Sequence, residues 1–267
     1  MALHIIATAK QVMDPESPAS AYRVDRETKR VVPTAQIPPV INGFDENGLE
    51  AALRIKDAGE DVRITVLSAG PSFVMDVMKK ALSMGTDEMV LVQDDALDGI
   101  SDSMITARVL ALAIQKIGDF DLIIAGRQAS DWDNAQVPLI LAEMLGLPCI
   151  TITRKVEVKG GEVVCEHIID NGYQVVSASL PAVVTVSNEL GEPRYPNIRN
   201  IMAAARKTPT TWSLADIGMS ESDLAPKLQM LDLYVPEKQS QVEFIEGEDE
   251  EDAGRKLAIK LREAKLI

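Results

Sequence analysis

Short apolar runs alternate with amphipathic segments along the first 145 residues of the chain. The runs at residues 3–9, 62–67, 88–92 and 122–125 predict buried β-strands. Between and after these strands, apolar residues recur at helical spacing over residues 45–57, 73–82, 101–116 and 138–145, and Asp45 is the predicted N-cap of the first helix. This alternation predicts an α/β fold, a doubly wound and mostly parallel sheet with helices on both faces.

After Pro148 the alternation of predicted strands and helices stops, and consecutive strands follow. Strands are predicted at residues 149–158, 162–169, 173–179 and 182–186, and Gly160-Gly161 between the first two is a hairpin signal. We therefore expect an antiparallel extension of the same sheet. A shorter hairpin, 21–24 against 30–33, is predicted inside the irregular excursion over residues 13–36.

The periodicity of apolar residues is weaker in the last third of the chain. Residues 188–201 are predicted to form a loop, residues 202–207 a short helix, and residues 208–235 have no clear period. An acidic cluster at 243–251 precedes a predicted helix at 253–267, whose apolar stripe comprises Leu257, Ala258, Leu261 and Leu266. We expect one α/β domain over residues 1–235 and a C-terminal linker and helix over residues 236–267, a C-terminal arm that packs either on its own domain or on another surface.

Composition narrows the class of protein. A net charge of −14 over 267 residues argues against general binding to nucleic acid or to an anionic membrane. No apolar run reaches the roughly 18–20 residues that span a bilayer, and the first residues lack a signal-peptide pattern, so we expect a cytoplasmic protein without membrane insertion. Two cysteines, Cys149 and Cys165, predict two buried free thiols, with a disulfide as the unsupported alternative. Two histidines make a metal site or a Ser-His-Asp triad improbable.

The polar stretch Gly126–Val137 is the strongest candidate site. It follows the strand at 122–125 and precedes a helix that opens with Pro138, so it lies at the carboxyl end of a parallel strand, where open α/β sheets bind ligands. The amides beside Pro138 favour an anion. The loops at 7–10, 42–45 and 68–71, the last read as a short turn, are expected to line the same crevice. The competing interpretation is a plain polar loop in which Asp131, Asp133 and Asn134 only form turns and caps.

Several strings of residues occur in an order that resembles a known family. They are Ala7-Thr8-Ala9-Lys10-Gln11-Val12, Asn42-Gly43-Phe44-Asp45-Glu46, Ser68-Ala69-Gly70-Pro71, Ala81-Leu82-Ser83-Met84-Gly85, the stretch 126–137, Leu180-Pro181-Ala182-Val183-Val184, and Glu192-Pro193-Arg194-Tyr195 followed by Asn200-Ile201-Met202. With these strings the chain resembles the β subunit of electron-transfer flavoprotein (ETF) over nearly its whole length, and the implied fold is a Rossmann-like, adenine-nucleotide-binding sheet.

The resemblance implies partners and cofactors. The β subunit forms a heterodimer with a larger α subunit, which carries most of one FAD, and passes electrons from a flavoprotein dehydrogenase, such as an acyl-CoA dehydrogenase, to a downstream acceptor. Its own crevice holds AMP in simple carriers. In electron-bifurcating members it holds a second FAD, which oxidises NADH. The chain itself has no acid–base catalytic residue in this scheme. The C-terminal helix is expected to pack on the α subunit.

The resemblance also implies the site residues. For the nucleotide they are Ala7, Thr8, Ala9, Asn42, Gly43, Phe44, Asp45, Ser68, Ala69, Gly70, Gly126, Arg127, Gln128, Asp131, Asp133, Asn134, Ala135, Gln136 and Val137. A recognition loop at 188–202 is expected to dock the dehydrogenase through its 192–202 part, with Ile198 as apolar anchor beside Arg194, Tyr195 and Arg199. The competing interpretation of this loop is an ordinary surface loop.

The sequence leaves the crevice ligand open between AMP and a second FAD. Ala135-Gln136-Val137 is similar to the bifurcating group, whereas Trp132, Asn134 and Pro138 depart from it. Trp132 stacks on a ring or simply covers the end of the sheet. A remote alternative is an adenine-nucleotide-binding enzyme or sensor of the same fold, for which Lys10 is the one candidate lysine in the crevice loops.

Overall fold

The structure, a computed structural model, describes residues 2–32, 34–59, 61–236 and 242–267. The strands are β1 (Leu3–Thr8), β2 (Gln11–Met13), β3 (Arg23–Asp25), β4 (Arg30–Val32), β5 (Pro39–Ile41), β6 (Val62–Gly70), β7 (Glu88–Gln93), β8 (Leu122–Gly126), β9 (Cys149–Lys159), β10 (Glu162–Ile169), β11 (Gly172–Ser179), β12 (Ala182–Val186) and β13 (Thr210–Trp212). The α-helices are α1 (Gly43–Asp57), α2 (Met75–Met84), α3 (Ser103–Ile117), α4 (Val137–Leu145), α5 (Ile198–Arg206) and α6 (Glu250–Glu263).

A nine-stranded sheet with the order β11-β10-β9-β12-β8-β1-β6-β7-β13 forms the centre of the fold. From β9 to β13 in that order all neighbours are parallel, and β10 and β11 add antiparallel pairs at one edge. The predicted α/β class and its mostly parallel sheet are confirmed. The antiparallel extension is smaller than predicted, since β9 and β12 pair in parallel and belong to the central part.

Successive strand residues point to opposite faces, and each face is covered by helices. Ile5 of β1 packs with α1 and α2 on one face, whereas Ile6 packs with α3 and α4 on the other. Within the described residues, none of the helices combines the length and the apolar character that crossing a bilayer requires. Cys149 and Cys165 are free thiols, as predicted, but only Cys165 is buried as expected, since Cys149 is half-buried.

Several predicted elements differ from the structure. Residues 68–70 are not a turn, because β6 continues to Gly70 and pairs there with β7. The strand β13 escaped prediction because three residues are too few to show a period. The hairpin is confirmed as β3–β4, and the predicted strand residue Pro33 lies outside the described residues.

The chain forms two compact units, one up to Leu233 and one from Tyr234 to Ile267. The second unit contains α6, which begins at Glu250 rather than at the predicted residue 253 because Asp249 caps it by accepting from the Asp252 N–H at 2.8 Å. Leu266 lies beyond the end of this helix, and no residue of α6 is buried. The predicted apolar stripe is therefore shorter than expected.

The first turn of α1 is tied to the ends of two strands. The N-cap of α1 is Asn42, so the prediction of Asp45 as N-cap was wrong. The Asp45 carboxylate is buried and accepts hydrogen bonds from the Lys10 N–H at 2.8 Å and from the Gly126 N–H at 3.0 Å. It thereby satisfies backbone donors where β1 and β8 end, whereas an N-cap side chain accepts from N–H groups of its own helix.

Burial gives Asp45 an unusual titration. Desolvation raises the pKa of Asp45 from 3.8 to about 6, although the N–H groups of Lys10 and Gly126 oppose the rise. At a pH between these two values the folded chain keeps a proton that the unfolded chain has lost. The contribution of Asp45 to the free energy of unfolding is therefore complete below pH 3.8 and is lost as the pH rises through about 6.

We predict that Asp45→Asn removes this pH dependence. Between about pH 5 and pH 8, the free energy of unfolding of the wild type should fall by about 1–2 kcal/mol relative to that of the variant. Urea unfolding at several pH values within that range measures both proteins, and their other titrating groups cancel in the difference. A difference that does not change with pH would show that Asp45 is ionised throughout in the folded protein.

Candidate functional site

A cavity of about 380 Å³ opens at the carboxyl ends of β1, β6 and β8. The chain passes from β1 to β6 on one side and returns as β8 on the other, so the strand order reverses at this point. Such switch points are where open α/β sheets bind ligands, and the volume is within the usual range for small-molecule sites. All four loops predicted to line a crevice contribute to the wall.

Most of the predicted nucleotide residues lie on this wall. They are Thr8, Ala9, Asn42, Asp45, Ser68, Ala69, Gly70, Gly126, Gln128, Asn134, Ala135, Gln136 and Val137. The wall also includes Lys10, Trp132 and Pro138, which are not among the predicted nucleotide-binding residues. The fold therefore brings together residues from four separate segments of the chain.

The other predicted residues do not line the cavity, and the structure gives several of them different contacts. Ala7 is buried in the core beneath α1. The Arg127 guanidinium lies over the Phe44 ring, 5.1 Å from its centroid, and donates to the Ser187 hydroxyl at 3.2 Å. Gly43 is the first residue of α1. The two acidic residues of the turn, Asp131 and Asp133, hold neighbouring side chains.

Those two carboxylates stabilise the turn at 126–137. The Lys10 ammonium donates to both oxygens of Asp131 at 2.7 and 2.9 Å, and the Gln128 amide donates to Asp133 at 2.7 Å. Asn42 holds the turn from the other side, because its amide donates to the Gln128 carbonyl at 2.8 Å and accepts from the Ser130 N–H at 3.2 Å. The turn is thus fixed at several points before any ligand binds.

The end of the turn has the backbone geometry of an anion site. Ala135 has a φ of 53°, in the left-handed region, and Gln136 next to it is right-handed. Successive residues of opposite hand direct their N–H groups into one concavity. The hydrogen bonds of α4 begin with the Leu139 N–H, so the N–H groups of Asn134 to Val137 precede the ladder of the helix. This end of the cavity favours a negatively charged group.

The opposite wall of the cavity was not predicted from the sequence. Apolar residues and hydroxyls from the segment before α3 and from its first two turns face the cavity, namely Leu97, Ile100, Ser101, Ser103, Thr106, Val109 and Leu110. Their spacing is that of any buried helix face, so the pattern carried no signal that this face borders a cavity rather than the core. The cavity thus has a polar end at the turn and an apolar wall with hydroxyls at α3.

The polar face of α1 holds the segment at 188–197. Asn47 donates to the Gly191 carbonyl at 2.7 Å, and Arg54 donates to the Leu190 carbonyl at 3.0 Å. Between them, Glu50 accepts from the Arg194 N–H at 3.1 Å and from its guanidinium at 2.7 Å. The segment is therefore fixed to the helix whose first turn borders the cavity.

Glu50 is buried, whereas its partner Arg194 is half-buried, with 32% of its side chain exposed. Burial alone would raise the pKa of Glu50, but the hydrogen bonds from Arg194 and Arg54 outweigh burial and hold it below its ordinary value. The bonds that Arg194 donates to Glu50, together with a second pair to Asp57 at 2.7 Å, raise the pKa of Arg194. The guanidinium of Arg194 thus fixes the segment to α1 from within.

The predicted loop ends in a helix, α5, that exposes apolar side chains. Asn197 caps α5 by accepting from the Asn200 N–H at 2.8 Å. The prediction that Ile198 lies in a loop was therefore wrong, since Ile198 is the first residue of this helix. Ile198 is 78% exposed, and Ile201 and Met202 on the same face are at least half exposed. Tyr195, just before the helix, is 90% exposed. Such a stripe is typical of a surface that contacts another protein.

Comparison with known proteins agrees with this architecture. A family profile described as "Electron transfer flavoprotein domain" matches residues 30–217. The chain is 40% identical to an electron transfer flavoprotein subunit beta of Megasphaera elsdenii over 211 residues, covering 77% of this chain and 76% of the relative. A subunit beta of Mycobacterium tuberculosis is 39% identical, with 82% of each chain covered.

A third relative spans the full length. The CarD subunit of a caffeyl-CoA reductase–Etf complex from Acetobacterium woodii is 32% identical over 268 aligned residues, which cover 99% of this chain and all of that subunit. The family profile and these alignments agree with the ordered motifs of the sequence and with the Rossmann-like fold. The chain therefore belongs to the β-subunit family of electron transfer flavoproteins, proteins of electron transfer.

Proposed function

We propose that this chain binds an adenylate moiety in the cavity, pairs with an ETF α subunit that carries FAD, and passes electrons from a flavoprotein dehydrogenase to a downstream acceptor. The observation that carries the proposal is the cavity at the switch point, closed at one end by the fixed turn at 126–137. Family membership supports the α partner and the flavin.

The phosphate of the adenylate lies at the start of α4. N–H groups from Asn134 to Val137 precede the helix ladder, and the side chains of Asn134 and Gln136 add donors. These groups bind an anion without a net positive charge on the protein, which suits a chain of net charge −14. Lys10, the lysine on the cavity wall, is engaged with Asp131, as expected for a site that binds without hydrolysing.

The base lies deeper, against small and apolar residues. Ala9, Ala69, Gly70 and Ala125 border the cavity at the ends of β1, β6 and β8. Because these side chains are small, a flat ring can approach the backbone closely. The remaining predicted residues of the site, Gly43, Phe44 and Arg127, support the fold around it, and Asp131 and Asp133 shape the turn.

The ligand is AMP in a simple carrier or the adenylate half of a second FAD in a bifurcating subunit that oxidises NADH. The string Ala135-Gln136-Val137, similar to the bifurcating group, favours the second candidate. Trp132 lines the cavity but remains 42% exposed, so it borders the mouth without filling it. The relative named after a caffeyl-CoA reductase complex supports a dehydrogenase or reductase that acts on a CoA ester as the partner.

Two surfaces are proposed to meet partners. The second compact unit exposes Leu257 and Ile259 of α6 as well as Phe244 before it, which suits packing on the α subunit. The face made by Tyr195, Ile198, Ile201 and Met202, which we call the docking face, suits the dehydrogenase, with Arg199 exposed beside it. A few apolar anchors of this kind carry most of the binding energy in many interfaces.

We predict two bound nucleotides per αβ complex. The complex, purified with its α subunit and denatured, should release one FAD and one AMP if the chain is a simple carrier, and two FAD if it is bifurcating, since the cavity holds one adenylate moiety in either case. Chromatography of the extract against standards gives the count. A complex that releases a single FAD and no second nucleotide would remove the cavity from the proposal.

We also predict that Ile198→Ala slows electron transfer from the dehydrogenase by about fivefold or more, because truncating a central apolar anchor commonly costs more than 1 kcal/mol of binding. The nucleotide content should not change, since the side chain lies outside the cavity wall. Stopped-flow reduction of the complex at several concentrations measures the effect.

The matched control is Ile169→Ala at the end of β10, where an isoleucine is also partly exposed but belongs to the antiparallel edge. This variant should transfer electrons at the wild-type rate. Equal rates for the wild type and Ile198→Ala would exclude Ile198 from the docking face.

A further inference from the structure

The segment that leads into α5 has few main-chain contacts. Residues 192–196 belong to no helix or strand, and in the part of the chain that the structure describes their backbone forms no hydrogen bond with another main-chain group. The short 3-10 helix Asn188–Leu190 precedes them, and α5 follows. Without other contacts such a stretch samples many conformations, because fixing each residue costs conformational entropy.

One carboxylate supplies the missing contact. Glu50, in the middle of α1, is 5% exposed. Its Oε2 accepts from the main-chain N–H of Arg194 at 3.1 Å and from the Arg194 Nε at 2.7 Å. Its Oε1 accepts from the Arg194 Nη2 at 3.2 Å and from the Arg54 Nε at 2.9 Å. The guanidinium and the main chain of Arg194 are therefore held by the same buried group.

This contact fixes orientation as well as position. A two-point pair between a guanidinium and a carboxylate restricts the geometry of both groups, and the third bond extends the restriction to the main chain. Within the described residues, the bond from the Arg194 N–H is the one hydrogen bond that the backbone of residues 192–196 forms. Tyr195 is the next residue and Ile198 follows about one helical turn later, so their directions depend on this bond.

The far end of α5 is fixed by a different element. Lys79 of α2 donates to the Ala205 carbonyl at 3.1 Å, and Ala204 is buried in the core. At the near end, Tyr195 and Ile198 are 90% and 78% exposed, so their own side chains gain little position from packing. The near end of the docking face therefore depends on the contact with α1.

We propose that Glu50 is a positioning residue for docking, which by holding Arg194 fixes Tyr195 and Ile198 in the orientation that the dehydrogenase contacts. Glu50 is buried and does not itself touch the partner. The inference rests on the proposed docking face and adds the group that orders this face before the partner arrives. Binding is tighter as a result, because the partner does not have to supply the free energy of ordering the segment.

Glu50→Gln tests this role in the complete αβ complex. The amide keeps the shape of the side chain, but it loses the charge and turns a donor toward the guanidinium. Hydrogen–deuterium exchange is read by mass spectrometry on peptides that cover residues 192–201. We expect exchange of the Arg194 amide and of the first turn of α5 to become about tenfold faster, since a charge-assisted hydrogen bond is lost.

The kinetic measurement separates positioning from a general loss of stability. The electron donor is an acyl-CoA dehydrogenase from the same cells, reduced by its acyl-CoA. The apparent KM for the complex should rise about three- to tenfold in Glu50→Gln, because the segment must then be ordered on binding. The kcat and the bound nucleotides should stay as in the wild type, since Glu50 does not line the cavity. A damaged fold would lower kcat instead.

Arg194→Ala provides a second variant. It leaves Glu50 paired with Arg54, so no buried charge loses all its partners. In a double-mutant cycle, the rise in KM caused by Glu50→Gln should be clearly smaller in the Arg194→Ala background, because the carboxylate acts through that arginine. Additive rises would show that Glu50 acts by another route and would overturn the inference.

The matched control is Glu46→Gln. Glu46 lies about one turn earlier in α1 and is also partly buried, but its carboxylate accepts from Lys80 of α2 rather than from the segment that leads into α5. This variant should show the exchange, the KM and the kcat of the wild type. A rise in KM as large as that of Glu50→Gln would make the effect a general one of charge loss on α1.

Comparison with Ile198→Ala distinguishes a failure of this inference from a failure of the docking proposal. If Ile198→Ala slows transfer but Glu50→Gln leaves KM unchanged, the docking face stands and the positioning role of Glu50 is overturned. If neither variant changes transfer although exchange near Arg194 is faster, this face does not bind the dehydrogenase, and the docking proposal is overturned together with the inference.

Discussion

The buried carboxylate of Asp45 is the contact on which the arrangement of the cavity depends. Its two oxygens accept from the N–H groups of Lys10 and Gly126, and so the start of α1 is fixed to the ends of β1 and β8 at the switch point. The approach is so close that a Cβ on Gly126 would lie 2.7 Å from Asp45 Oδ1 and from the Phe44 carbonyl carbon. Glycine is therefore required where β8 ends, and an ionisable group is retained in the interior because two strand-end donors need one acceptor with two oxygens.

The same helix connects the two surfaces proposed to be functional. Its N-cap, Asn42, holds the turn at 126–137 through bonds to Gln128 and Ser130. About one to three turns later, Asn47, Glu50 and Arg54 recur at helical spacing and hold the segment that leads into α5. Contacts from α1 therefore hold both the turn beside the cavity and the segment that leads into the docking face. A partner seated on α5 then has a fixed distance to whatever occupies the cavity, which is what electron transfer between bound cofactors requires of a protein scaffold.

The sequence predicted the parts of this arrangement that depend on periodicity and topology. Buried strands such as Leu122–Gly126 appear as apolar runs, and parallel pairing brings the loops after them to one edge, so most of the cavity wall followed from the chain alone. Two features did not follow. The face of α3 that carries Ser103 and Val109 has the period of a core helix, and only the tertiary structure shows that it meets a cavity. Asn42 and Asp45 are both good caps, and the choice between them was decided by the distant N–H groups of Lys10 and Gly126, which local pattern cannot represent.

An acidic protein that binds an anion needs donors that do not depend on net charge. At the turn these donors are main-chain N–H groups, held by Ala135 in the left-handed region and by the start of α4. Lys10, the cation on the wall, is neutralised by Asp131 across the mouth. The attraction is therefore local and directional, and it acts over the few ångströms in which amide dipoles point at the ligand. The proposed phosphate site therefore suits a protein whose surface repels anions in general, because its donors act only at short range and need no net positive charge.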